Sequence, residues 1–405
     1  MADLDFERHY SDRARRAVAS DIREILKMLD DPELISFAGG IPNPDAFPVA
    51  VISDITQKVL DRSPSETLQY GVTEGFSPLR EALSEHMGKH GLATCPDEVM
   101  VTSGATQTID LCSQAFLQPG RRVVTESPSF LAALLAFKSH SAEIDDIRMD
   151  SDGIQTDLLS DRLKELRRRG TSPTMLYVIP NFQNPTGVTL SESRRKELIG
   201  MANEYDFLIL EDDPYGQLRY GGDALPPVKS FDDVGRVIYA SSFSKILSPG
   251  IRVGWVVAHK EIIRKLSIMK QTADVHTGVL SQKIANEYLR GGHLDTQLTI
   301  IREMYGRKQR TMLTALDQFF PEETHWTHPQ GGMFLWATLP DSIDTLRLLP
   351  KAIEKKVAYM HGRLFYPNGG GESEMRLNFT HASDEMITEG IRRLGGLIDA
   401  ELRSH

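Results

Sequence analysis

The chain reads as an α/β protein, with a large unit built on a mainly parallel sheet between helices and a smaller α+β unit after it. Three observations predict this. Short apolar strands alternate with helical stretches over residues 98–258, the pattern of βα units whose sheet is covered on both faces. A long helical segment from about Asp295 ends the alternation and leads to a second group of strands and helices. The 405 residues are also too many for one small domain.

Taken in order, residues 11–29 place Val18, Ile22, Ile25, Leu26 and Leu29 near helical spacing, and Pro32 ends that helix. Ile35-Ser36-Phe37-Ala38-Gly39-Gly40-Ile41-Pro42-Asn43-Pro44 is a short extended piece breaking into a Gly/Pro loop. Its paired glycines permit backbone approaches that a Cβ would block. A helix starts at Ser77, with Pro78 in its first turn. Strands are predicted at 99–102, 122–125, 175–179, 207–210, 237–241 and 253–258, with helices over about 106–117, from Ser129 and from Ser191. Three helical segments run over 262–320. The smaller unit takes strands at 333–339 and 375–379, a helix near 344–355 and a final helix from Ser383. Gly369-Gly370-Gly371 is too short for a linker.

Hydrophobic residues at 40% and charged residues at 25% give an ordinary globular balance. A net charge of −10 without a basic cluster argues against nucleic-acid binding. Arg167-Arg168-Arg169 reads as the cationic last turn of a helix. No run approaches the roughly 18 apolar residues of a membrane span, and the acidic residues 1–7 hold no apolar signal core. Cys95 and Cys112 have neither metal-ligand nor disulfide spacing, so a cytoplasmic setting is expected. His86 and His90 lack an HExxH pattern and read as exposed helical histidines, and no metal is assigned.

The unusual residues fall on loops after strands, where ligands of such sheets bind. Ser241-Ser242-Phe243-Ser244-Lys245-Ile246-Leu247-Ser248-Pro249-Gly250-Ile251-Arg252-Val253-Gly254-Trp255 follows the apolar run Val237-Ile238-Tyr239-Ala240. A lysine so placed is ordinarily a solvated charge. As a nucleophile it must lose its proton near neutral pH, which takes a shielded site or a cationic neighbour. The serines and Arg252 are groups that hold a phosphate by charge-assisted hydrogen bonds. An amine nucleophile beside a phosphate cradle points to pyridoxal 5'-phosphate (PLP), which carries an aldehyde and a phosphate. Ser103-Gly104-Ala105-Thr106-Gln107 joins a strand to a helix and offers backbone N–H groups to an anion. Asn181-Phe182-Gln183-Asn184-Pro185-Thr186-Gly187 and Glu211-Asp212-Asp213-Pro214-Tyr215 follow two more strands. Each alone reads as turn chemistry. Four such loops at one sheet edge do not.

The combination Gln183-Asn184-Pro185-Thr186-Gly187, Asp212-x-x-Tyr215, Ser242-x-Ser244-Lys245 and Gly250-x-Arg252-x-Gly254 resembles the fold-type I PLP enzymes. Within them it resembles the class I/II aminotransferases and the 2-aminoadipate/kynurenine aminotransferase group, over about residues 22–397. The resemblance implies an aspartate-aminotransferase-like fold. Residues 1–45 would cover the active site and join the small domain, 46–294 would form the large PLP-binding domain, and 295–405 the small C-terminal domain. It implies that Lys245 bonds the cofactor and, once displaced by substrate, moves a proton between Cα and C4'. Asp212 would keep the pyridine nitrogen protonated, and Asn184 and Tyr215 would hydrogen-bond the phenolic oxygen. The Ala105 and Thr106 N–H groups, Ser242, Ser244 and Arg252 would hold the phosphate, and Phe130 would stack on the ring. Tyr70 is expected to reach the phosphate of a neighbouring subunit, in a homodimer with shared sites. On the substrate side, Arg376 would grip the α-carboxylate with a planar fork, next to Asn184 and the Gly40 backbone.

Ile22-Arg23-Glu24-Ile25-Leu26-Lys27 resembles the segment that covers the site in this group, where an arginine can receive a side-chain carboxylate. Arg23 therefore makes glutamate or 2-aminoadipate the expected amino donor, the alternative being a local ion pair. Three departures stand out: Ala105-Thr106 for Ser-Gln, Phe130 for a common tyrosine, and Met360-His361-Gly362-Arg363 for a Pro-Gly pair. The last would bring His361 and Arg363 near the substrate entrance. Neutral drift accounts for all three most simply. They keep open a PLP-dependent lyase, decarboxylase or oxidative deaminase beside amino transfer from an α-amino acid to a 2-oxo acid. A transcription regulator with this domain would carry a helix-turn-helix unit and less acidic balance. A class I aldolase would use Lys245 without needing Asp212 and Arg252.

Overall fold

A computed structural model describes residues 6–16, 31 and 33–404. Of the helix expected over 11–29, Asp12–Arg16 is helical; the rest, including Ile22 and Arg23, lies outside the described residues. In chain order the strands are β1 (Ile35–Ser36), β2 (Val99–Thr102), β3 (Arg122–Ser127), β4 (Glu143–Asp150), β5 (Gly153–Ile154), β6 (Met175–Val178) and β7 (Leu208–Asp212). They continue with β8 (Val237–Ser242), β9 (Gly254–Val257), β10 (His325–Trp326), β11 (Phe334–Thr338), β12 (Val357–Ala358), β13 (Met360–His361) and β14 (Glu374–Asn378).

An eight-stranded sheet has the order β2-β9-β8-β7-β6-β3-β4-β5. From β4 to β8 the neighbours run parallel, and β9 and β5 are antiparallel to theirs. β2, β6, β8 and β9 are buried along their whole length. Strands covered on both faces have no polar alternation to show, so they read as unbroken apolar runs.

β4 and the helix Val49–Arg62 go beyond the sequence expectation. Five of the eight residues of β4 are charged and so hide a strand signal (Glu143-Ile144-Asp145-Asp146-Ile147-Arg148-Met149-Asp150), and only Ile147 is buried. Neighbours supply what the apolar pattern does not. Asp145 pairs with Arg122 at 2.8 Å and Arg162 at 2.6 Å, and Asp146 accepts a hydrogen bond from Ser127 at 2.7 Å.

The second sheet is antiparallel, in the order β10-β11-β14-β13, with Trp336 opposite Arg376. β1 pairs parallel with β12, which pins the chain before Gly39 to the C-terminal strands. The helix His293–Phe319, about 40 Å long at 1.5 Å per residue, starts two residues before the expected point and buries Leu298, Ile301, Tyr305, Met312 and Leu316. Its Tyr305 hydroxyl accepts the Asn43 N–H at 2.9 Å, fixing the Gly/Pro loop. One apolar core runs from Leu83 and Val101 through Trp255 and Tyr305 to Leu377 and Ile391. His86 departs from the exposed position expected of it: it is half-buried, with Nε2 2.8 Å from the Gln217 amide nitrogen, and burial lowers its pKa to about 3. Among the described residues no helix is long and apolar enough to cross a membrane.

Candidate active site

β2, β6, β7 and β8 point the same way, so the loops after them meet at one edge of the large sheet. Lys245 stands three residues past β8 and is half-buried. Its Nζ donates to the Gly40 carbonyl at 2.8 Å. Burial, with repulsion from Arg376 and Arg252, pulls the amine down to about 8. That supplies the shielded, cation-flanked setting a nucleophilic lysine needs.

Asp212 ends β7 and is 2% exposed. Its Oδ2 accepts from the Tyr177 hydroxyl at 2.8 Å, while Oδ1 has no partner. Burial pushes the carboxyl up to about 7, opposed by the Tyr177 bond and reinforced by the neighbouring Asp213 charge. Tyr215 is buried three residues on, and burial raises its pKa.

Arg376, on β14, reaches in from the smaller sheet. Its Nη1 donates to Asn184 Oδ1 at 2.9 Å and its Nη2 to the Ala38 carbonyl at 2.6 Å. The guanidinium lies 4.3 Å from the centre of the Phe334 ring and 5.2 Å from that of Phe365. Its Nε has no partner, and no carboxylate pairs with it among the described residues. Burial lowers it to about 10. An arginine 4% exposed and without an acid is a costly arrangement that a bound carboxylate would relieve. The same Asn184 places its Nδ2 3.4 Å from the Tyr215 hydroxyl, which links the loop after β6 to the one after β7.

The remaining loops form a cradle. Ser242 Oγ donates to Ser244 Oγ at 2.7 Å, and the Ser244 N–H donates back to Ser242 Oγ at 3.0 Å. Arg252 has a left-handed φ of 54° and sends Nη2 to the Ser103 carbonyl at 2.8 Å. Gly104 (φ 93°) precedes the helix Ala105–Phe116 without a side-chain cap, so the N–H groups of Ala105 and Thr106 remain available beside Arg252. A network behind the cradle has no sequence motif: Asp274 accepts from Ser103 at 2.9 Å, Gln107 at 2.7 Å and Lys270 at 2.8 Å.

Other expected residues stand apart. Tyr70 is 80% exposed, with its ring edge-on to His276 at 5.7 Å. Phe130 is half-buried at the cap of the helix Leu131–Ser139. Arg363 pairs with Asp344 at 2.7 Å. His361 is buried on β13, opposite Met375. Arg23 lies outside the described residues.

A shielded lysine, an anion cradle at a helix start and a buried arginine awaiting a carboxylate define a PLP-type site on an α/β scaffold. The chain matches the family Aminotransferase class I and II over residues 33–394, and belongs to it. It is 46% identical to aromatic-amino-acid aminotransferase 1 of Thermococcus litoralis, over 99% of this chain and 96% of the relative. It is 39% identical to 2-aminoadipate transaminase of Thermus thermophilus, over 98% of each. The crystal structure of a Pyrococcus horikoshii kynurenine aminotransferase superposes with a TM-score of 0.95, at 45% identity and over 98% of each chain. The protein is a PLP-dependent aminotransferase of fold type I. Its residues fit the cofactor: Asp212 Oδ1 is a buried acceptor without a donor, and a Cβ at position 104 would crowd the cradle, 2.7 Å from Arg252 Nη2.

Proposed function

We propose that the chain transfers the amino group of an acidic α-amino acid, glutamate or 2-aminoadipate, to a 2-oxo acid. It would act as a cytoplasmic homodimer with shared sites and domain boundaries at 45/46 and 294/295. The observation that carries amino transfer from an α-amino acid is Arg376, buried without an acid and bonded to the same Asn184 that neighbours Tyr215.

Bound PLP supplies a protonated ring that withdraws electrons from the substrate Cα. The other tasks fall to the chain. Lys245 would hold the cofactor covalently and, once displaced by substrate, its Nζ would carry a proton from the substrate Cα to the cofactor's C4', a task its lowered basicity suits. Asp212 would accept from the ring nitrogen, and Asn184 and Tyr215 would orient the phenolic oxygen. Ser242, Ser244, Arg252 and the Ala105 and Thr106 N–H groups would hold the phosphate, and Phe130 would cover the ring. Arg376 and Asn184 orient the substrate carboxylate beside Gly40. Tyr70 serves the partner's phosphate, a role supported by its exposure next to exposed Leu68 and Val72.

The acidic donor rests on Arg23. The Arg23→Ala variant is expected to lose glutamate and 2-aminoadipate turnover selectively, while apolar donors are retained. An unchanged ratio of kcat/KM between acidic and apolar donors rejects the assignment. The names of the Thermococcus and Pyrococcus relatives favour a second reading, aromatic donors. A kcat/KM for phenylalanine or kynurenine above that for glutamate would decide for it.

A further inference from the structure

We propose that Tyr177 is a positioning residue for the cofactor's ring nitrogen, holding Asp212 ionised and turned so that Oδ1 faces the ring. This rests on the reading of Asp212 given above. Tyr177 lies on β6 in the middle of the large sheet and is 0% exposed. It stands opposite Leu210 of β7. Paired residues of neighbouring strands share a face, and so does the residue two further on, which is Asp212. The tyrosine side chain is long enough to reach forward along that face, and its hydroxyl donates to Asp212 Oδ2 at 2.8 Å. Phe137 packs edge-on against the Tyr177 ring at 5.5 Å and fixes its direction.

In this pair the hydroxyl is the donor. Burial and the Asp212 and Glu126 charges raise the phenol far above its ordinary range, so its proton stays on the oxygen. Oδ2 is therefore occupied from inside the sheet, and Oδ1 is left as the free acceptor. Without the hydroxyl, both oxygens would lie bare in a buried setting that already favours the protonated carboxyl. A neutral acid offers a ring nitrogen no counter-charge. Neither nearby acid holds Asp212: Asp213 acts on it by charge repulsion, and Glu126 is fully buried and accepts from the Ile179 N–H at 3.0 Å and Gln183 Nε2 at 3.3 Å. Burial and the Asp212 charge push its carboxyl up, opposed by these two hydrogen bonds.

The test compares the wild-type holoenzyme with Tyr177→Phe and Asp212→Asn, each loaded with PLP labelled with 15N in the ring. The ring-nitrogen chemical shift at pH 7 and the PLP dissociation constant are measured, with the melting temperature of each apo form as a folding control. Tyr177→Phe is expected to move the shift toward the unprotonated value and to weaken PLP about tenfold, the lower end for a hydrogen bond to a charged group. Phe137→Leu, which frees the ring but keeps the hydroxyl, is expected to change both in the same direction by less. Wild-type shifts and PLP affinity within twofold in both variants would overturn the proposal, even if the apo proteins melt lower. A protonated ring in Asp212→Asn would instead refute the underlying role of Asp212, so the two failures are distinguishable.

Discussion

Replacing Gly104 with alanine tests the cradle through its backbone. Gly104 holds φ 93° and ψ 162°, a region that is essentially glycine's alone and costs other residues about 1–3 kcal/mol. The new Cβ would also stand 2.7 Å from Arg252 Nη2 and 3.2 Å from its Cζ. The guanidinium is the end of a flexible side chain, so it would swing away and give up its 2.8 Å bond to the Ser103 carbonyl. Because Arg252 is exposed, that bond contributes only about 1 kcal/mol. The two terms together come to about 2–4 kcal/mol. For a chain of this length, size scaling gives about 1 °C per kcal/mol, so the apo protein should melt about 2–4 °C lower. If Arg252 is one of the phosphate's charged partners, as proposed, PLP affinity should fall about 10- to 100-fold. Differential scanning fluorimetry of the apo form and a PLP titration read the two effects separately. A lower melting temperature with unchanged PLP affinity would refute the phosphate role of this loop. No change in either would refute the geometry.

Three further outcomes are expected. The neutral fraction of Lys245 grows as pH rises through about 8, so PLP capture by the apo protein should accelerate from pH 6 to 8 and level off above 9. A profile still rising toward 10.5 would show an unshielded lysine. By linkage, the folded value lies below the unfolded one, so the contribution of this group to stability should fall as pH drops from 10.5 to about 8, then stay flat. Arg376→Lys loses the two-pronged grip and the contact with Phe334, and KM for amino donors should rise about 10- to 100-fold; a KM within threefold of wild type would remove Arg376 from substrate binding. For the shared-site homodimer, mixing Lys245→Ala with Tyr70→Ala subunits should restore up to about a quarter of wild-type activity, since only mixed dimers hold one intact site. No gain on mixing would place Tyr70 outside the partner's site.

The central strands were legible because burial on both faces leaves continuous apolar runs, as in Met175-Leu176-Tyr177-Val178. β4 was not, because ion pairs from Arg122 and Arg162 stabilise it instead of an apolar face. Lys245, Asp212 and Asn184 were legible because the residues after parallel strands are set by the sheet itself. Tyr177 was hidden by the same logic, since a phenol in an apolar run looks like core until its register to Leu210 is known. The Asp274–Lys270 support of the cradle joins residues far from Ser103 and Gln107 in sequence and carries no motif. The Arg363–Asp344 pair was not legible, because Asp344 caps a helix nineteen positions earlier, which local reading does not connect.

The central claim is amino transfer from an acidic donor at the Lys245 site, and a single half-reaction tests it most directly. PLP-loaded protein is mixed with glutamate or 2-aminoadipate without any acceptor, and the visible spectrum and products are followed. The account predicts that the band of the bound aldehyde form is lost to a stable amino form of the cofactor, with one equivalent of 2-oxo acid per site. A band that persists or returns while ammonia or carbon dioxide accumulates would contradict it.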